Sequence, residues 1–161
     1  MVILGGCRTA ETVVEPDTVF GHQYELEGPG ERTVEEIHPP TGEGDFFTYD
    51  AIIDSVIVRA EEAVPGRDVP RPVDVLVMGS FPDACYQLHH IEQTSAGHLI
   101  TVRLTMRRAR GEICMQVLRR YRYYFSLEEA LAPGAYTLKL NDRVEPFVVV
   151  PPPPAATTRS R

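Results

Sequence analysis

Apolar and polar side chains alternate over much of the stretch from residue 51 to residue 150, and no apolar stripe is sustained at helical spacing. The cleanest case is 100–107. Ile100, Val102, Leu104 and Met106 share one parity, and Thr101, Arg103, Thr105 and Arg107 share the other. Successive side chains of a strand point to opposite faces, so this segment is a half-buried antiparallel strand. Val73, Val75 and Val77 form a second one-sided row within a strand over 73–79. The same reading predicts strands at 53–59, 85–93, 115–127, 136–140 and 144–150. In the 115–127 segment Val117, Arg119, Tyr121, Tyr123 and Phe125 share one parity, while Arg120, Arg122 and Tyr124 share the other.

Turn residues separate these segments. Pro65-Gly66 and Pro70 mark a loop, Phe81-Pro82-Asp83-Ala84 a turn into Cys85, and Ala109-Arg110-Gly111-Glu112 another turn. Ser126–Leu131 reads as the start of a helix, but Pro133-Gly134 stops it within two turns. Asn141-Asp142 suits a two-residue hairpin, since both tolerate positive φ. Seven short strands without a sustained helix predict an all-β fold, an antiparallel immunoglobulin-like β-sandwich over residues 51–150. Residues 8–50 read as an acidic tether or loosely packed segment. Their aromatic group, Phe46, Phe47 and Tyr49, is expected against the domain edge. Pro151–Pro154 reads as polyproline II, opening a Pro-rich disordered tail over 151–161.

Charge changes this picture in one respect. The chain of 161 residues has a formal charge of −7, which argues against a surface built for nucleic acid. Residues 1–70 hold 15 acids and 4 bases, whereas residues 71–161 hold 8 acids and 12 bases. A solvated acidic segment is the favoured reading; one folded back over the basic half is the alternative. Arg103, Arg107, Arg119, Arg120, Tyr121, Arg122, Tyr123 and Tyr124 are read together as a possible binding face for a protein or an anionic glycan. A plain solvated sheet face explains the same residues.

Candidate chemistry is sparse. His89, His90 and His98 flank one predicted hairpin, but neighbouring residues of a strand face opposite ways and no recognisable ligand set is completed. Ser80, Ser95 and Ser126 lie in no Gly-x-Ser-x-Gly context, and no Gly-rich phosphate loop occurs. No catalytic residue, metal site or cofactor is therefore expected.

Two resemblances add compartment and fold detail. Leu4-Gly5-Gly6-Cys7, behind apolar Met1-Val2-Ile3 and before polar Arg8-Thr9-Ala10-Glu11, resembles the lipobox that closes a bacterial lipoprotein signal peptide. It implies that residues 1–7 are the remnant of such a signal and that Cys7 carries lipid. Cys85 and Cys114 then remain and are expected to pair, the alternative being two unrelated thiols. Such a bridge persists in an oxidising compartment. Leu131-Ala132-Pro133-Gly134-Ala135-Tyr136-Thr137-Leu138 resembles the tyrosine corner of immunoglobulin-like and fibronectin type III sandwiches, with Tyr136 as the structural tyrosine. The stretch from Val75 to Val149 also resembles a domain of bacterial envelope lipoproteins. Phe81-Pro82-Asp83-Ala84-Cys85, Ile113-Cys114, Pro133-Gly134-Ala135-Tyr136 and Phe147-Val148-Val149 carry that likeness.

The resulting expectation is a non-catalytic, lipid-anchored protein of the cell envelope, outside the cytoplasm, whose sandwich is an interaction or structural module. The membrane is its partner through the N-terminal lipid. A polysaccharide-binding accessory module and a small secreted enzyme are the alternatives.

Overall fold

The computed structural model describes residues 33–37 and 44–155. Expectations for residues 1–32, Cys7 among them, for 38–43 and for 156–161 lie outside the described residues. The described chain forms nine strands: β1 (Thr33–Val34), β2 (Phe46–Asp50), β3 (Ile53–Ala60), β4 (Val73–Phe81), β5 (Tyr86–Ala96), β6 (Leu99–Ala109), β7 (Arg119–Ser126), β8 (Gly134–Leu140) and β9 (Arg143–Val149). They make the expected all-β sandwich of two sheets. One has the order β1-β7-β4-β3; the other has β2, β6, β8 and β9, with β5 added on β6. Most pairings are antiparallel, but β1 with β7 and β6 with β8 run parallel.

The core follows from parity. Val73, Val75, Val77 and Phe81 of β4 meet Ile100, Val102, Leu104 and Met106 of β6 in one apolar cluster, with Leu138, Leu140 and Val149 from the β8–β9 hairpin. Leu76 and Met78, on the opposite face of β4, are buried as well. They pair in register with Tyr124 and Arg122. A strand buried on both faces shows no clean alternation, which is why only its valines stand out in the sequence.

Three side chains join strands. Gly79 pairs with Ile53 on one side and Tyr121 on the other. The fully buried Tyr121 ring lies over the space a side chain at Gly79 would fill. Its hydroxyl donates to the Ile52 carbonyl at 2.9 Å, and the ring stacks on Phe81 at 4.6 Å. Asn141 occupies the left-handed region at φ 52°, as the hairpin reading requires. One flank of β6 is shared by β8, along 99–102, and β2, along 105–109. The Asn141 amide fills the step between them: it accepts from Leu104 N at 2.9 Å and donates to the carbonyls of Leu104 and Ala51 at 2.9 and 3.2 Å. Buried Arg71 donates to the carbonyls of Glu61 and Val150, clamping the loop before β4 onto the end of β9.

Tyr136 forms the corner. Its hydroxyl donates to the Ala132 carbonyl at 3.0 Å, four residues upstream. Tyr136→Phe keeps the ring's stacking on Phe147 and leaves that carbonyl without its donor. It should cost about 1–2 kcal/mol, read as a fall in melting temperature with native circular dichroism retained.

Two boundaries differ from expectation. The sheet begins upstream of residue 51, because Phe46–Asp50 pairs with Ala109–Thr105. The segment 115–127 becomes a strand only at Arg119. Met115 O accepts from both Ala84 N and Val117 N, at 3.1 and 2.9 Å, and this tight bend interrupts the extended run.

Candidate functional site

The richest chemistry lies at one end of the sandwich, where the β4–β5 turn meets the segment before β7. Cys85 and Cys114, 29 residues apart, form a disulfide with Cα atoms 5.7 Å apart. Beneath it Asp83 turns its buried carboxylate inward. One oxygen accepts from Cys85 N at 2.8 Å, and the other accepts from Arg108 Nε at 2.9 Å. Burial raises the Asp83 pKa, but the Arg108 bond and the Cys85 amide outweigh it and hold the carboxyl below its usual 3.8. The Asp83 bond correspondingly holds the Arg108 guanidinium above its usual range. Arg119 lies over Phe81 at 5.0 Å and donates to the Tyr86 carbonyl at 2.6 Å, so it ties β7 to the opposite sheet.

The Asp83 carboxylate and the sulfurs of Cys85 and Cys114 lie within 4.8 Å of one another, a spacing that could hold a metal ion. In the oxidised protein the sulfurs are spent on each other and the carboxylate on Arg108. A thiophilic metal needs free thiolates, so the arrangement acts as a covalent and ionic clasp.

Aromatic and cationic groups continue from this clasp onto β2. Phe47, Tyr49 and Tyr86 follow one another at 6.3 and 5.9 Å, and Arg110 covers the Phe47 ring at 4.3 Å. Burial and the neighbouring Tyr49 raise the Tyr86 pKa. On the outer face of the same sheet Arg107 covers Phe46 at 5.5 Å and donates to Gln87, while Arg103 pairs with Asp50 at 3.1 Å. Asp45 pairs with Arg110 and Glu35 with Arg119. Glu35, Asp45 and Asp50 thus lie beside arginines, as the fold-back alternative expects, while Glu61, Glu62 and Asp68 are exposed and most acids of residues 1–43 lie outside the described residues. Backbone bonds beside β1 and β2, Glu35 N to Arg122 O and Arg110 N to Asp45 O, place two of these acids, and the Asp45 and Asp50 pairs stay largely in water, where such pairs add little.

The arginines and tyrosines expected on one face are not brought together. Arg103 and Arg107 lie on β6 in one sheet; Arg119, Arg120, Tyr121, Arg122, Tyr123 and Tyr124 lie on β7 in the other. Within β7 the parity of Tyr121 and Tyr123 points into the core, where both are buried, and Arg122 is buried too. The missed grouping was Phe47, Tyr49 and Tyr86 with Arg110. The aromatics of β2 were visible in the sequence, but their pairing to β6 was not, because five residues of that strand precede the alternating region.

The three histidines are also dispersed. His98 meets the Ala135 carbonyl through Nδ1 at 2.9 Å, and His90 approaches Glu92 at 3.5 Å. Half-buried His89, at a bulge in β5, packs edge-on against Phe46, and its Nδ1 has no hydrogen-bond partner. Burial, with Arg107 nearby, lowers its pKa from 6.5. The unfolded chain then takes up a proton before the native ring does. Stability should fall as pH drops through 6.5, and go on falling until the native ring is charged. Melting temperatures between neutral and mildly acidic pH would show the slope, and His89→Gln should flatten it.

At the far end of β5 a small, open pocket lies over Ile100, Leu127 and Leu131, rimmed by Gln93, Ser95, Glu128 and Glu129. Ser95 donates to Glu129 at 3.0 Å, so the rim is internally bonded.

Comparison with known proteins also finds a β-sandwich in this part of the chain. Residues 75–149 match the ORF11 beta-sandwich domain. In this chain the matched residues run from within β4 to the end of β9, and the clasp, the exposed loop before β7 and the Tyr136 corner all lie among them. Three curated relatives, all from Herpetosiphon aurantiacus, are similar. An uncharacterized 10.2 kDa protein in the HgiCIIM 5' region is 29% identical over 94 residues, 58% of this chain and 95% of that protein. Uncharacterized 10.2 kDa proteins in the HgiBIM and HgiEIM 5' regions are each 29% identical over 77 residues, 48% of this chain and 94% of theirs. No solved structure matches.

Proposed function

We propose that this chain is a non-catalytic, lipid-anchored module of the cell envelope, whose ORF11-like sandwich presents its clasped end to a partner. The observation that carries the reading is the Cys85–Cys114 disulfide, since structural disulfides persist where proteins have been exported to an oxidising compartment. It leaves Cys7 as the odd cysteine, at a lipobox-like sequence. Acyl chains on Cys7 would each add about 0.8 kcal/mol per buried CH₂, so two or three would anchor firmly. The test is to purify the protein from native membranes and weigh its N-terminal peptide. An acylated Cys7 is expected, and an unmodified Cys7 on the mature chain refutes the anchor.

A second reading, a polysaccharide-binding accessory module, draws on the Phe47, Tyr49 and Tyr86 group with Arg110 over it. Aromatic rings beside a guanidinium suit the faces and acid groups of anionic sugars. A glycan array separates the two readings, and a blank array removes this one.

A further inference from the structure

The bend between the disulfide and β7 is built in a way that the clasp does not require. Ile113 is fully exposed, and Met115, Val117 and Leu118 are 73%, 41% and 63% exposed. Four apolar side chains in six residues thus stand in water at one end of the sandwich. Their backbone is fixed: Cys114 is cross-linked to Cys85, and Met115 O accepts from Ala84 N and Val117 N. A ridge already held in shape loses little freedom when it is covered.

The charge around it selects what covers it. Residues 107–122 contain six arginines and one acid, Glu112; Arg122 is buried, and the exposed Arg110 and Arg120 stand on either side of the ridge in sequence. Asp83, Asp45 and Glu35 neutralise Arg108, Arg110 and Arg119 in part. Arg120 remains solvent-facing, and the side chain of Arg110 is still 49% exposed. An apolar tip with a basic rim complements the surface of an anionic bilayer, where acyl boundary and negative headgroups lie at adjacent depths. We infer that this ridge inserts into anionic lipid and so seats the clasped end of the domain on the membrane. The inference deepens the envelope reading, but it does not depend on acylation of Cys7, because the ridge is exposed with or without a lipid there.

The chain has no Trp, so Met115→Trp places a single reporter on the ridge of the full-length protein. With phosphatidylglycerol vesicles its emission should shift to the blue. The effect should weaken as salt is raised and be smaller with phosphatidylcholine alone. Adding Ile113→Glu and Leu118→Glu should weaken partitioning about tenfold or more, with an unchanged melting temperature showing that the domain still folds. Unshifted emission with anionic vesicles overturns the proposal, even if the protein sediments with them, since binding then runs through another segment. A blue shift that grows with protein concentration and needs no vesicles also overturns it, in favour of a second copy covering the ridge. Equal shifts on both lipids reject the anionic preference. Failure of any kind here leaves the mass of the N-terminal peptide, and hence the anchor, to be judged separately.

Discussion

Replacing Gly79 with alanine should cost about 3 kcal/mol or more and leave little folded protein at physiological temperature. A Cβ at this position would fall deep inside van der Waals contact with the Ile52 carbonyl and with the ring and hydroxyl of Tyr121. Neither neighbour can yield cheaply. The carbonyl belongs to the backbone entering β3, and it is also the acceptor of the Tyr121 hydroxyl. The Tyr121 ring is fully buried and stacked on Phe81. Accommodating one methyl group would mean parting β4 from both neighbours at once. Gly44→Ala serves as the control, since nothing lies within 4 Å of a Cβ there. Urea titrations of the two variants should differ sharply. A Gly79→Ala protein as stable as the parent would show that β3, β4 and β7 do not pack as described.

Reducing the disulfide should lower stability by roughly 3.5 kcal/mol, the chain-entropy value for a loop of this length. For a domain of about 100 residues that is a fall in melting temperature of roughly 15–25 °C. Melting with and without a thiol reductant would show it, and Cys85→Ser with Cys114→Ser should melt like the reduced protein in either buffer. The loss should stop short of complete unfolding, because Asp83 still grips Cys85 N and Arg108. Asp83→Asn in the oxidised protein tests that remainder. Its folded-state pKa is depressed, so the contribution of Asp83 is fully present above 3.8 and is lost only as pH falls through the lower native value.

What could be read from the sequence was whatever has a short period or a local partner. The alternation of 100–107, the Asn141 turn and the Tyr136 corner depend on residues near in sequence, and the Cys85–Cys114 pair followed once Cys7 was set aside. The binding face failed for a different reason. Parity tells which residues of a strand share a side, but it does not tell which strands share a sheet. Assigning Arg103 and Tyr123 to one surface required β6 and β7 to be neighbours, and they belong to opposite layers. β2 was hidden for a related reason: Phe46, Phe47, Thr48, Tyr49 and Asp50 are too few and too mixed to show a period, and their place comes from β6.

The divided flank of β6 has a practical meaning for anyone isolating the domain. The matched residues begin at 75, but β3 guards one margin of β4 and β2 guards half a margin of β6. A fragment trimmed to the match would strip both and bare two rows of unanswered amides and carbonyls, which invite neighbouring molecules to add their own strands. Cloning from residue 33 onward keeps those margins closed and retains β1 on the outer margin of β7.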